Sequence, residues 1–145
     1  MSPYMPILIG ATLALVVSAY AAWIHFDRDR AFYPTVVMVV ASYYVLFSVM
    51  GGSARSTVVE TSIMGVFVAA ASLGFKRNLW VAVAGLAGHG ILDAFHGSLV
   101  YNPGVPPWWP PFCGAYDLMA GAILAMILLR DPPLSKPRTK TLPMP

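Results

Sequence analysis

The chain has 145 residues, of which 58% are hydrophobic and only 10% are charged. Ordinary soluble domains carry roughly a quarter charged residues, so this composition excludes a soluble protein and indicates an integral membrane protein. The formal net charge of +3 does not indicate a nucleic-acid partner, because the basic residues are spread over separate loops. The single cysteine, Cys113, excludes an internal disulfide and a C-x-x-C metal site within this chain.

Five apolar stretches are each long enough to cross a bilayer, which takes about 20 residues. The expected helices cover residues 5–24, 31–50, 56–75, 79–99 and 112–129. We therefore predict an all-α polytopic bundle of five transmembrane helices, with a single transmembrane domain over residues 1–130. The segment 101–111 is rich in proline and tryptophan and is expected to be non-helical. Residues 131–145, rich in proline and basic residues, are expected to form a disordered cytoplasmic tail.

The distribution of lysine and arginine predicts how the bundle is oriented. With five crossings, the first loop, the third loop and the tail share one side and hold eight of the nine basic residues, and Arg55 stands alone on the other side. Cytoplasmic loops carry the excess of basic residues. We therefore expect a multi-pass protein of the inner (plasma) membrane, with its N-terminus outside and its C-terminus in the cytoplasm.

The fourth stretch contains His89, Asp93 and His96 at positions i, i+4 and i+7. This spacing places the three side chains on one face of a helix. Ionisable groups are costly inside a membrane and usually face a partner, a cavity or a metal. In the expected orientation, Glu60 of the third helix and Asp117 of the fifth lie in the same layer of the outer leaflet. We expect these acids and imidazoles to meet there.

Imidazole and carboxylate groups together are typical ligands of divalent transition metals. The pattern predicts a divalent metal ion, either zinc or iron or copper, with ligands drawn from His89, Asp93, His96 and Glu60. Because His89 and His96 lie two turns apart, one ion takes either His89 and Asp93 or Asp93 and His96. Glu60 or Asp117 is then expected to serve as general acid or base. The alternative is a hydrogen-bonded polar cluster without metal, in which a buried acid is protonated. Cys113 is expected to pack in the core.

These residues also resemble the pattern of a family of small bacterial five-helix integral membrane proteins that is known as a domain of unknown function. The pattern that carries the resemblance consists of Glu60, His89, Asp93, His96, Asn102-Pro103, Cys113 and Asp117. It covers about residues 57–124. Members often have tryptophan before the aspartate and a histidine after the second histidine, where this chain has Leu92 and Gly97. The resemblance implies a fold and a site but no reaction.

The leading hypothesis is a metal-dependent membrane enzyme that acts on a hydrophobic or lipid-like substrate from the outer leaflet of the lipid bilayer. Hydrolysis by a metal-activated water is the simplest chemistry, and oxygen chemistry on iron or copper stays open. The alternative is a non-enzymatic component, either a carrier of protons or metal ions or an accessory subunit of a larger membrane complex. Because a bundle of this size has little interior, we expect a homo-oligomer or a subunit of such a complex.

Overall fold

A computed structural model describes residues 4–137 as an all-α bundle, as the sequence predicts. Its helices are α1 (Met5–Trp23), α2 (Phe32–Met50), α3 (Ala54–Lys76), α4 (Trp80–Leu99) and α5 (Trp109–Arg130). Within the described residues, four helices are long and apolar enough to cross a membrane, namely α1, α2, α3 and α5. The helix α4 is not among these four, because its histidines, aspartate and glycines lower its mean hydropathy. The prediction of helices long and apolar enough to cross a membrane is thus confirmed for four of the five.

The packing order of the helices differs from their order in the chain. The helix α5 lies between α1 and α4. The helix α4 also packs on α3 and, more lightly, on α2. The helices α2 and α3 pack on each other. As a result α1 and α2, although consecutive, are not packed along one another. An apolar core that includes Val37, Ala71, Leu86 and Leu124 fills the half of the bundle nearest the first and third loops. The buried acids and histidines lie in the other half.

Arg30 joins three segments at one end of the bundle. Its guanidinium donates hydrogen bonds to the carbonyl of Leu134 at 2.7 Å, of Phe75 at 3.0 Å and of Gly74 at 3.2 Å. The last two carbonyls belong to the C-terminal turn of α3, where unpaired carbonyls and the helix dipole favour a cation. Burial lowers the pKa of Arg30 from its ordinary value. The first loop, the third loop and the segment after α5 therefore share one end of the bundle, which is the arrangement that the distribution of basic residues predicts.

The segment after α5 differs from the disordered tail expected from residue 131. Residues Pro132–Ser135 form a 3-10 turn, and the carbonyl of Ser135 accepts a hydrogen bond from the backbone N–H of Leu79 at 2.9 Å. The side chain of Leu134 packs against the apolar core. These contacts hold the segment against the bundle. The remainder of the expected tail, residues 138–145, lies outside the described residues.

Two helices begin earlier than the hydropathy pattern predicts. The helix α3 begins at Ala54, because the Ser53 hydroxyl caps it by accepting a hydrogen bond from the N–H of Ser56 at 3.2 Å. The helix α5 begins at Trp109, and Pro110 and Pro111 stand in its first turn. Proline is tolerated there, because the first N–H groups of a helix have no partner within the helix. The expectation that the proline-rich segment is non-helical as far as residue 111 is therefore wrong at its end.

The helices α4 and α5 approach closely at two glycines. A Cβ atom added to Gly90 would lie 3.0 Å from the carbonyl oxygen of Gly114. A Cβ atom added to Gly114 would lie 3.2 Å from Cβ of Asp93. Small residues at such crossings let helix backbones come together in a membrane. Here the approach brings side chains of α5 within reach of the polar face of α4.

We predict that Gly90→Ala destabilises the protein and that Gly88→Ala does not. At Gly90 the added methyl group meets the backbone of α5, whereas at Gly88 nothing lies within 4 Å of the added Cβ atom. Overpacking of this kind costs about 1–3 kcal/mol. Thermal unfolding of both variants in detergent is the measurement. Equal transition temperatures for the two variants would contradict the close approach of α4 and α5.

Candidate metal centre

Buried polar side chains of α2, α3, α4 and α5 form two adjoining groups in the half of the bundle opposite the apolar core. The first, called the metal-capable group here, consists of His89 and Asp93 on α4 and Cys113 and Asp117 on α5. One ligand atom from each residue lies within 4.8 Å of the other three. All four residues are buried. Because two come from each helix, the group depends on the glycine crossing of α4 and α5.

The contacts within the metal-capable group centre on Nδ1 of His89. This atom lies 2.6 Å from Oδ2 of Asp117 and 3.6 Å from Oδ2 of Asp93. The thiol of Cys113 donates to Oδ2 of Asp117 across 3.8 Å. Phe67 of α3 meets the His89 ring edge-on, with ring centroids 4.9 Å apart. The imidazole is thus held between two carboxylates and an aromatic wall.

Two carboxylate oxygens in this group lack a partner. Oδ2 of Asp93 and Oδ1 of Asp117 are buried and have no hydrogen-bond donor among residues 4–137. A buried carboxylate oxygen without a donor is unfavourable, so each requires a proton, a water molecule or a cation. One imidazole nitrogen, one sulfur and carboxylate oxygens form a donor set that suits zinc and related divalent metals. The metal-capable group can therefore hold a metal ion.

The second group, called the Glu60–His96 pair here, lies beside the first. Nε2 of His96 is 2.9 Å from Oε1 of Glu60. Asn102, from the loop after α4, donates through Nδ2 to the same carboxylate oxygen at 2.9 Å and to the carbonyl of Tyr44 at 3.0 Å. Glu60 and His96 are each almost fully buried. Glu60 and His96 satisfy each other's hydrogen-bonding groups, and through Asn102 they hold the loop between α4 and α5 onto the bundle.

Tyr44 of α2 connects the two groups. Its hydroxyl donates a hydrogen bond of 2.5 Å to Oδ1 of Asp93. Its ring stacks on the imidazole of His96, with centroids 3.9 Å apart and planes inclined by 12°. The hydrogen bond occupies one oxygen of Asp93, and the other oxygen is the one nearer His89. Tyr44 thereby sets the orientation of the Asp93 carboxylate.

The structure divides the predicted ligand set between the two groups. His89 and Asp93 lie together as expected, but His96 and Glu60 belong to the separate pair. The reason is that seven residues of helix rise about 10 Å, so His96 lies two turns from His89. In the metal-capable group, the positions expected for His96 and Glu60 are occupied by Asp117 and Cys113. We expected Asp117 as an acid or base and Cys113 in the core. Cys113 and Asp117 are spaced i, i+4 on α5, which puts both side chains on one face of the helix. That spacing is the feature of the sequence that could have identified the pair.

No family model, curated protein or solved structure matches the chain. The resemblance of residues 57–124 to a family of unknown function therefore stays a prediction. A fold alone does not specify an activity, so the function depends on the chemistry of the site itself.

An apolar groove of about 620 Å³, called the lateral groove here, reaches the metal-capable group from the side. Its walls come from α1 and α2, α5 forms its floor, and Phe26 and Asp29 of the first loop line one end. The residues that line it include Leu13, Val17, Val36, Val39, Phe112 and Cys113. Cys113 thus belongs both to the groove and to the metal-capable group. The volume falls within the roughly 300–1,000 Å³ of typical ligand sites.

We predict that Tyr44→Phe destabilises the protein more than Tyr43→Phe does. The first change removes the hydroxyl that donates to Asp93 and leaves a further buried carboxylate oxygen without a donor. The loss of a hydrogen bond to a charged group costs about 1.5–3 kcal/mol. The measurement is the free energy of unfolding in detergent by denaturant titration. A Tyr44→Phe variant as stable as Tyr43→Phe would show that this hydrogen bond does not hold Asp93.

Proposed function

We propose that the protein is a metal-dependent integral membrane enzyme that acts on a hydrophobic substrate, with hydrolysis as its simplest reaction. One observation carries the proposal. Four potential ligand atoms, from His89, Asp93, Cys113 and Asp117, are buried within 4.8 Å of one another, and Cys113 also lines an apolar groove. The donor set supports a metal, and the groove supports a hydrophobic substrate.

Within this proposal the ligands are His89, Asp93 and Asp117. Catalytic zinc sites are typically built from three protein ligands and one open position. A divalent cation bound there would supply Lewis acidity and lower the pKa of a coordinated water. Cys113 is the member of the group that also lines the groove, so we place it between the ligands and the substrate. The two carboxylates offset the charge of a divalent ion, and the neutral imidazole adds none.

The remaining residues orient this centre. Tyr44 holds Asp93 through its hydroxyl, and Phe67 limits rotation of the His89 ring. The Glu60–His96 pair supports Tyr44 by stacking and, through Asn102, fixes the carbonyl of the same tyrosine. Partners that orient ligands in this way commonly contribute 10–100-fold to metal affinity. Glu60 is thus proposed as a positioning residue rather than as a ligand.

The membrane arrangement belongs to the same proposal. We place α4 as the fifth crossing, because its 20 residues are long enough and it packs against α2, α3 and α5. The end that carries Arg30, Lys76 and Arg77 then faces the cytoplasm of a plasma membrane, in line with the excess of basic residues on cytoplasmic loops. The metal-capable group then lies in the outer half of the bilayer. Association with a second copy or with other subunits stays a prediction.

A proton carrier is the second candidate function, and one observation favours it. A continuous series of side-chain contacts runs through the two groups, in the order Glu60, His96, Tyr44, Asp93 and His89. A carrier also needs a polar path through the opposite half of the bundle. There the buried core is largely apolar, with Val37, Leu86 and Leu124 among its members. The enzyme is therefore the better-supported function.

We predict that the purified full-length protein holds about one divalent metal ion per chain, as expected for a single mononuclear site. His89→Ala and Asp117→Asn are expected to lose the ion, because each removes a ligand from the metal-capable group. Cys113→Ser is expected to keep it, and Glu60→Gln is expected to bind it more weakly without losing it, because Glu60 only positions the ligands. The variant His25→Ala, at an exposed histidine, serves as control. Elemental analysis by mass spectrometry after detergent purification is the measurement.

Two outcomes would overturn this assignment. If Glu60→Gln and His96→Ala lost the ion as completely as His89→Ala, the ligand set would be the one predicted from the sequence. If metal were absent from the wild-type protein even after incubation with zinc, iron or copper salts, the enzyme proposal would fail. Proton uptake that depends on Glu60 and Asp117 would then favour the carrier.

A further inference from the structure

The lateral groove indicates which class of substrate reaches the site. We propose that it binds one hydrocarbon chain of a membrane lipid, with the polar end of that lipid beside Trp109 and Cys113. The inference rests on the proposed function, and it names the substrate of the same site.

The position of the groove favours a lipid chain as its occupant. The groove exists because α1 packs on α5 while α2 packs on α3 and α4, which leaves α1 and α2 apart. The helices α1, α2 and α5, which form it, are all long and apolar enough to cross a membrane. A groove between such helices faces the hydrocarbon of the bilayer, where acyl chains are the molecules at high concentration. Lipid can therefore enter from the side, without passing through water.

The dimensions of the groove fit an extended chain. Its α2 wall includes Thr35, Val36, Val39 and Tyr43. From Thr35 to Tyr43 the helix rises about 12 Å, since each residue adds 1.5 Å. The wall is therefore long in the direction of a chain that lies parallel to the helices. A single chain, rather than a bulky ring system, matches this shape.

The end of the groove near the start of α5 carries a hydrogen-bond donor that is unpaired among residues 4–137, whereas the opposite end, beside the first loop, carries the acidic Asp29. Trp109 lines the groove at this end near α5. Its indole Nε1 is buried and has no acceptor among the described residues. Cys113 lies one turn further along α5 and contacts Asp117. An ester or phosphate oxygen of a lipid is an acceptor for the indole N–H. A lipid held by that donor would present its polar end to the metal-capable group.

The experiment is photolabelling of the full-length protein in vesicles of phosphatidylglycerol and phosphatidylcholine. The probe is a phospholipid with a photoactivatable diazirine on one acyl chain, and labelled residues are mapped by peptide mass spectrometry. We expect label on groove residues such as Val36 and Phe112. In Val39→Trp, which fills the groove from its wall, we expect labelling of these residues to fall about tenfold, equivalent to about 1.4 kcal/mol of binding. Thr35→Trp fills the same wall one turn away and provides a second variant should Val39→Trp fail to fold.

The control is Val66→Trp, which places the same side chain on the outer face of α3. Val66 is 67% exposed and Val39 is 47% exposed, so both positions accommodate a large residue without disturbing the core. Val66→Trp is expected to leave groove labelling unchanged. Metal content is measured on the same samples. We expect Val39→Trp to retain its metal and to lose the label on the groove residues.

The polar end of the lipid is tested separately. Trp109→Phe is expected to reduce labelling by the phospholipid more than labelling by a photoactivatable alkane, because only the phospholipid offers an oxygen acceptor to the lost N–H. Trp108→Phe, which removes a neighbouring and more exposed indole, is expected to change neither. Equal effects of Trp109→Phe on both probes would overturn the placement of the polar end.

The outcomes separate this inference from the proposed function. Label spread evenly over all lipid-facing helices and unaffected by Val39→Trp, with metal retained, would overturn the lipid site and leave the metal centre standing. Crosslinks from the groove to a second copy of the chain would show that the groove is a subunit interface. Groove labelling in a protein that binds no metal would support the lipid site and remove the enzyme proposal.

Discussion

Ionisable side chains buried in an apolar bundle must satisfy one another, and this constraint organises the structure. His89 of α4 meets Asp117 of α5 at 2.6 Å, and His96 of α4 meets Glu60 of α3 at 2.9 Å. Each contact requires helix backbones that approach closely, which Gly90 and Gly114 permit between α4 and α5. The polar contacts and the helix packing thus depend on each other. A bundle with α4 rotated away from α5 would leave these groups unpaired in hydrocarbon.

The same constraint separates the bundle into two halves with different roles. The half near Arg30 has an apolar core, and hydrogen bonds from the guanidinium join the C-terminal turn of α3 to the segment after α5. The other half holds the metal-capable group and the Glu60–His96 pair, and the loop after α4 covers it through Asn102. One half therefore contributes mainly stability. The other half contains the groups that can do chemistry, and the lateral groove connects it with the surroundings.

Much of this arrangement was accessible from the sequence, and the missing parts have physical reasons. Hydropathy located the helices, and the i, i+4, i+7 spacing put His89, Asp93 and His96 on one face. The spacing also puts His96 two turns from His89, but the sequence could not assign a partner to each, because that depends on which neighbouring helix faces each turn of α4. The sequence predicts Cys113 in the core, because free cysteine is among the residue types most often buried, and the residue is indeed buried. Its second contact, with the lateral groove, exists only because α1 and α2 stand apart.

The sequence by itself determined an all-α protein with membrane-spanning helices and a layer of buried acids and imidazoles, because composition and helical periodicity act locally along the chain. Tertiary structure alone decided that Asp117 and Cys113 join His89 and Asp93, that Glu60 pairs with His96, and that Tyr44 links the two groups. Those choices depend on the relative rotation and packing order of the helices. Contacts between residues distant in the chain set both, and no local pattern encodes them.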